Sequence, residues 1–298
     1  MNEEALVARL KQLFTPGAEV VEGPGDDCAA IRMPGTDSLL LAAVDQVVEG
    51  IHYLPGEASA AVAGKLVKRN VSDIAAMGGE PLYAMLTVAA NPLEEPELLR
   101  FFEAVQESCG RYGMCVVGGD VAALPERGAV FTLSILGRVK AECMKLRRTA
   151  RAGDVLCATG WFGRSFPTGR HLTFEPRLKE GQYLGACSCV HAMMDVSDGL
   201  LKDSLRMASD SGLALQLEPD AVPRFDGASL EEALSDGEDY ELIFAVAPEE
   251  ADRLIAEFPY TRISKIGVFL EGTPGEFRNW PDWKKKGFDH FHENSRDI

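Results

Sequence analysis

Apolar residues recur with a helical period at the start of the chain, where Leu6, Val7, Leu10, Leu13 and Phe14 share one stripe and predict an amphipathic helix over 3–14. The period returns over 59–77, a run rich in small residues that closes at Gly78-Gly79. It returns again over 96–112, carried by Leu98, Leu99, Phe102, Val105 and Cys109. Between these lie apolar runs of strand length: 39–44, ending at Asp45, then 114–117, entering Gly118-Gly119-Asp120, then 130–139. After a polar, basic stretch over 140–151, strands are predicted at 155–159, 213–217, 240–246 and 263–269. Helices are predicted near 200–209 and 248–257.

The basic stretch is the natural place to divide the chain, giving domains 1–140 and 141–298, each within the roughly 100–200 residues common for one domain. Neither half alternates strand and helix regularly, which favours two α+β domains over a single doubly wound sheet. Asn70-Val71-Ser72-Asp73 and Asp195-Val196-Ser197-Asp198 echo one another, too briefly to establish a repeat.

Composition narrows the partners. The chain has 298 residues with 46 acidic against 30 basic side chains, a formal charge of −16, and 46% hydrophobic residues, enough for full cores. Such a charge disfavours nucleic acid and anionic membranes, since phosphates repel it. Acids gathered around bound cations are the exception, because the cations let them hold a phosphate ligand. No apolar run approaches the ~18 residues that span a bilayer. Acids occupy Glu3 and Glu4, where a signal peptide would be basic, and the seven cysteines include no Cys-x-x-Cys. These features predict a cytoplasmic protein with reduced, mostly buried thiols.

Common nucleotide and hydrolase motifs fail. Gly23-Pro24-Gly25-Asp26-Asp27-Cys28 lacks the third glycine of a dinucleotide fingerprint and puts acids where pyrophosphate would sit. Gly64-Lys65 is followed by Leu66 where a phosphate-binding loop needs Ser or Thr. Gly163-Arg164-Ser165-Phe166-Pro167 lacks the closing glycine of a nucleophile elbow. What remains is a series of acids beside small residues at the ends of apolar runs: Asp26-Asp27, Asp45, Asp73, Asp120, Asp195, Asp198 and Glu238-Asp239. Singly, each reads as a turn in which Asp bonds its own backbone. Together they suit Mg²⁺, which takes a few rigidly held carboxylates plus phosphate oxygens.

Blocks around these acids carry a resemblance. They are Gly25-Asp26-Asp27-Cys28-Ala29, Asp-Gln-Val-Val-Glu-Gly-Ile-His over 45–52, Asn-Val-Ser-Asp-Ile-Ala-Ala-Met-Gly over 70–78, and Gly118-Gly119-Asp120. Asp-Val-Ser-Asp-Gly-Leu over 195–200, Gly-Glu-Asp-Tyr-Glu-Leu over 237–242 and Gly-Phe-Asp-His-Phe over 287–291 complete the order. In combination the chain resembles the thiamine-monophosphate kinase family, of the superfamily that includes aminoimidazole ribonucleotide synthetase and selenophosphate synthetase. The resemblance implies a two-domain fold, an N-terminal α/β domain whose strands pair with a second subunit, then an α+β domain, with ATP between them. It implies a homodimer that transfers the γ-phosphate of ATP directly to thiamine monophosphate, giving thiamine diphosphate. By motif, Asp27, Asp45, Asp73, Asp120, Asp195 and Asp198 would hold several Mg²⁺ ions. Gly119, Asp120, Arg147, Ser197 and Tyr112 would contact ATP, and His52, Glu238 and Phe288 the thiamine phosphate. The acceptor phosphate is already anionic, so no general base is required, and metals held by Asp would take the place of the Lys and arginine finger of other kinases.

The chain departs from the family in four places. Ala43-Val44 replaces the usual Ser or Thr before Asp45, and 160–194 is shortened, with Trp161 and Phe162 where a helix is expected. Asp236 stands for a second glycine, and Phe288 for Trp or Tyr. Two alternatives follow: another ATP-dependent activity of the superfamily, or a catalytically silent nucleotide-binding dimer. Product formation from ATP and thiamine monophosphate separates them. The first Cys is Cys28, after the Asp pair, and the chain ends Arg-Asp-Ile, neither of which suits the selenophosphate or the carbamoyl-dehydrating branch.

Overall fold

The computed structural model describes residues 3–14 and 16–279. The N-terminal half runs α1 (Glu3–Leu13), β1 (Val20–Glu22), β2 (Ala29–Arg32), β3 (Ser38–Val48), α2 (Ser59–Ala76), β4 (Glu80–Asn91), α3 (Glu95–Arg111), β5 (Cys115–Ala123) and β6 (Gly128–Lys140). Its strands form one six-stranded sheet in the order β1-β2-β3-β6-β4-β5, antiparallel except for the β4–β5 pair. A short turn at Arg147–Thr149 leads to the second half: β7 (Val155–Thr159), α4 (Arg170–Thr173), α5 (Leu178–Ala186), β8 (Val190–Asp195), α6 (Leu200–Asp210), β9 (Ala214–Leu217), α7 (Leu230–Ser235), β10 (Leu242–Val246), α8 (Ala251–Glu257) and β11 (Ile263–Leu270). Here the order is β8-β10-β7-β11-β9, antiparallel throughout. Both halves mix helices and sheet as the sequence pattern predicts. No helix among the described residues is long and apolar enough to cross a membrane.

Strand alternation decides which face of each sheet is covered. On the first sheet Leu39, Leu41, Ala84, Leu86, Val88, Leu133 and Ile135 point to one side and are buried in one core with Leu66, Ile74, Phe101 and Val105 of α2 and α3. The opposite face keeps Val44, Tyr83 and Met85 exposed, and the edge strand β5 exposes Val117 and Val121. This also explains why β4 escapes a reading of periodicity: outward Tyr83, Met85 and Ala89 are apolar too, so twelve residues of strand show no clean alternation. The second sheet is covered on both faces, by α6 and α7 on one and by α5 and α8 on the other.

Helix α2 joins the halves. Ala76 at its end is buried with Leu184, Val190 and Phe244 of the second half. A Cβ on Gly181 of α5 would lie 2.1 Å from the Ala75 carbonyl, so only glycine permits this approach. Gly78, at φ 72°, turns the chain from α2 into β4. Of the seven thiols Cys28, Cys109 and Cys157 are buried, Cys115 on β5 is exposed, and none is in a disulfide.

Candidate functional site

The face of α2 that meets the second half carries Lys65, Arg69 and Asp73 at intervals of four, with Ser72 beside them, so one helical stripe delivers four polar side chains to one place. Asp73 meets Asp27, from the loop before β2, and Asp195, at the end of β8; one carboxylate oxygen from each lies within 4.8 Å of the other two. Ser72 Oγ donates to Asp195 Oδ2 at 2.6 Å, tying α2 to the second half beside the cluster. Asp45 adjoins it on β3. Its N–H donates to Asn70 Oδ1 (3.1 Å), and its carboxylate receives Arg69 through Nε (2.7 Å) and Nη2 (3.2 Å).

Burial pushes the carboxyls of Asp27, Asp73 and Asp195 well above the usual carboxylate range, and repulsion from neighbouring carboxylates adds to it. Arg147 opposes the effect at Asp27, donating to Oδ1 and lying 3.5 Å from Asp26. Asp27 Oδ2 is buried with no hydrogen-bond partner. Buried anionic oxygens converging with one left unpaired are the donor set of a hard cation. Asp198 stands apart from the three: Lys202 (2.8 Å) and Arg206 (3.0 Å) outweigh its burial and hold its carboxyl below the usual range. The N–H groups of Ser197 and Asp198 donate to Asp203 Oδ2, which fixes the turn into α6.

Other expected residues are dispersed. Gly119 and Asp120 sit on the exposed edge strand β5, outside the carboxylate group. A Cβ on Gly119 would fall 1.9 Å from the Leu86 carbonyl of the neighbouring strand. Tyr112, capping α3, donates its hydroxyl to Glu175 Oε1 at 3.1 Å. His52 is buried, its Nδ1 accepting the Val48 N–H at 3.1 Å. Phe288 lies outside the described residues.

The 237–242 block is held by basic partners. Glu238 pairs with Lys65 at 2.6 Å, Asp239 with Arg170, and Glu241 accepts from Nε and Nη2 of Arg177, both at 2.6 Å. Glu238 and Tyr240 take positive φ, 65° and 50°, fixed by N–H donation to the carbonyls of Ser197 (2.7 Å) and Val196 (2.8 Å). Arg170 and Arg177 come from the shortened 160–194 segment, which therefore still braces the block. Basic side chains also line this region: Lys65 pairs with Glu238, Arg69 with Asp45, Arg147 with Asp27 and Arg206 with Asp198. Reading by motif passed over Lys65 and Arg69, although their spacing from Asp73 was visible in the sequence.

Comparison with known proteins gives the context. Residues 25–139 match the model of the AIR synthase related protein, N-terminal domain, and 152–278 that of its C-terminal domain. Thiamine-monophosphate kinase of Rhodopirellula baltica is 35% identical over 285 residues, 89% of each chain. The Salmonella typhimurium protein of the same name is 32% identical over 328 residues, 97% of this chain and 98% of that one. The solved structure of AaThiL complexed with AMPPCP and TMP superposes with a TM-score of 0.83 at 26% identity, covering 97% of each chain.

Proposed function

The chain belongs to the AIR synthase related family, and with relatives that are thiamine-monophosphate kinases over nearly their whole length we propose that it is an ATP-dependent kinase producing thiamine diphosphate from thiamine monophosphate. The convergence of Asp27, Asp73 and Asp195 is the observation that carries this reading, since joining two phosphates requires their charge to be cancelled. Magnesium bound by these carboxylates supplies that positive charge. Asp45, Asp120 and Asp198 are assigned to further ions on the family pattern.

Each of the chain's own residues then has a task. Arg147, Ser197, Gly119, Asp120 and Tyr112 bind ATP, while His52, Glu238 and Phe288 hold the thiamine phosphate. Arg69, paired with Asp45, and Arg147, paired with Asp27, keep the acids in place and add charge next to the phosphates. No residue need remove a proton, because the acceptor oxygen is already anionic. Positioning and charge neutralisation therefore supply the catalysis. The domain boundary is placed at 140/141. The exposed apolar face of the first sheet, with Val44, Tyr83 and Met85, pairs with a second copy and covers β5.

The test is incubation with ATP, Mg²⁺ and thiamine monophosphate, with chromatography for thiamine diphosphate. Product with matching ADP supports the proposal. ATP binding without product overturns it in favour of a silent nucleotide-binding protein.

A further inference from the structure

Lys65 is a charged side chain of the site that no motif block includes. It lies at the middle of α2, fully buried, and its ammonium touches both halves. It donates to the His52 carbonyl in the first half and lies 2.6 Å from Glu238 Oε1 in the second. Around it the Phe166 ring is 5.9 Å away, and His171, buried, stacks on that ring at 4.1 Å between centroids. Water is thus excluded, and a charge in such a place persists only when its partners are fixed. Both partners need fixing. His52 belongs to the irregular segment between β3 and α2, and Glu238 has a backbone conformation that a non-glycine residue rarely adopts.

We propose that Lys65 is a positioning residue for the phosphate acceptor, its buried ammonium locking His52 and Glu238 into one binding geometry across the two halves. The inference rests on the proposed kinase reading, in which these two residues hold thiamine monophosphate. The direct polar contacts of Lys65 are with His52 and Glu238, so its loss falls first on the acceptor side. Losing the ammonium leaves Glu238 without its partner and frees the His52 carbonyl; the acceptor must then pay to order both.

The test is steady-state kinetics of Lys65→Met, which keeps the length and removes the charge, with Lys65→Gln as a second variant that keeps N–H donors and guards against failure to fold. In either variant KM for thiamine monophosphate should rise at least about tenfold while KM for ATP stays within about twofold. A purely structural role lowers the folded fraction, so it reduces the apparent kcat and leaves both KM values unchanged. That pattern, or an equal rise in KM for ATP, overturns the inference. Wild-type protein is assayed alongside: if it forms no thiamine diphosphate, the kinase reading fails, a result distinct from unchanged KM values in an active enzyme.

Discussion

Replacing Asp73 by Asn should stabilise the metal-free protein and abolish its response to Mg²⁺, two effects of opposite sign from one oxygen. Asp73, Asp27 and Asp195 place carboxylate oxygens within 4.8 Å of one another. At an effective dielectric constant near 20, two full charges at that distance repel by about 3 kcal/mol. Partial protonation caps the cost, because burial and repulsion raise Asp27 and Asp195 to about 7. A gain of about 2–4 kcal/mol at pH 8 is therefore expected, which in a chain of this size raises the melting temperature by roughly 4–10 °C. Calorimetry or dye-based melting with no metal, with Mg²⁺, and with Mg²⁺ plus ATP measures both effects. Wild type should climb with Mg-ATP by mass action. Asp73→Asn should begin higher and climb little. A variant that melts below wild type yet keeps its full Mg-ATP increment would show that Asp73 neither repels its neighbours nor holds the ion.

Three further outcomes follow from the same structure. Asp27 and Asp195 bind protons more tightly folded than unfolded, so between about pH 4 and pH 7 the native state holds the extra protons and their contribution to metal-free stability is lost as pH rises. Urea melts at pH 5 and pH 8 should show that loss, and Mg²⁺ should recover it at pH 8; greater metal-free stability at pH 8 in wild type than in Asp73→Asn contradicts the assignment. Gly119→Ala would set a Cβ 1.9 Å from the Leu86 carbonyl, so β5 must move at a cost of about 1–3 kcal/mol, read as a lower melting temperature. Glutamates at Tyr83 and Met85 should convert a dimer to monomer in sedimentation experiments, whereas an unchanged mass would remove the first sheet from the interface.

The sequence revealed the acids more fully than it revealed what surrounds them. Asp27, Asp73 and Asp195 were legible because each sits in a distinctive block beside small residues. Their convergence was not legible, since it depends on α2 crossing from one sheet to the other through the close approach of Ala75 and Gly181. The basic partners were missed for a different reason. Lys65 fails as part of a phosphate-binding loop, and Arg69 looks like an ordinary charge on a helix. Only docking of the second half turns their shared stripe inward. Strand β4 was hidden because its outward face is apolar, the property that leaves Tyr83 and Met85 open to a partner. The helical period of α2 and α3, by contrast, gave both helices to within a residue or two, since one face of each fills the first core.

We propose direct transfer between two phosphates at the Asp27, Asp73 and Asp195 cluster. ATP labelled in the γ-phosphate, supplied with Mg²⁺ and thiamine monophosphate, tests it most directly. The label should appear in thiamine diphosphate in step with ADP, and Asp73→Asn should abolish its transfer. Label found only in inorganic phosphate, or transfer undiminished in Asp73→Asn, would contradict it.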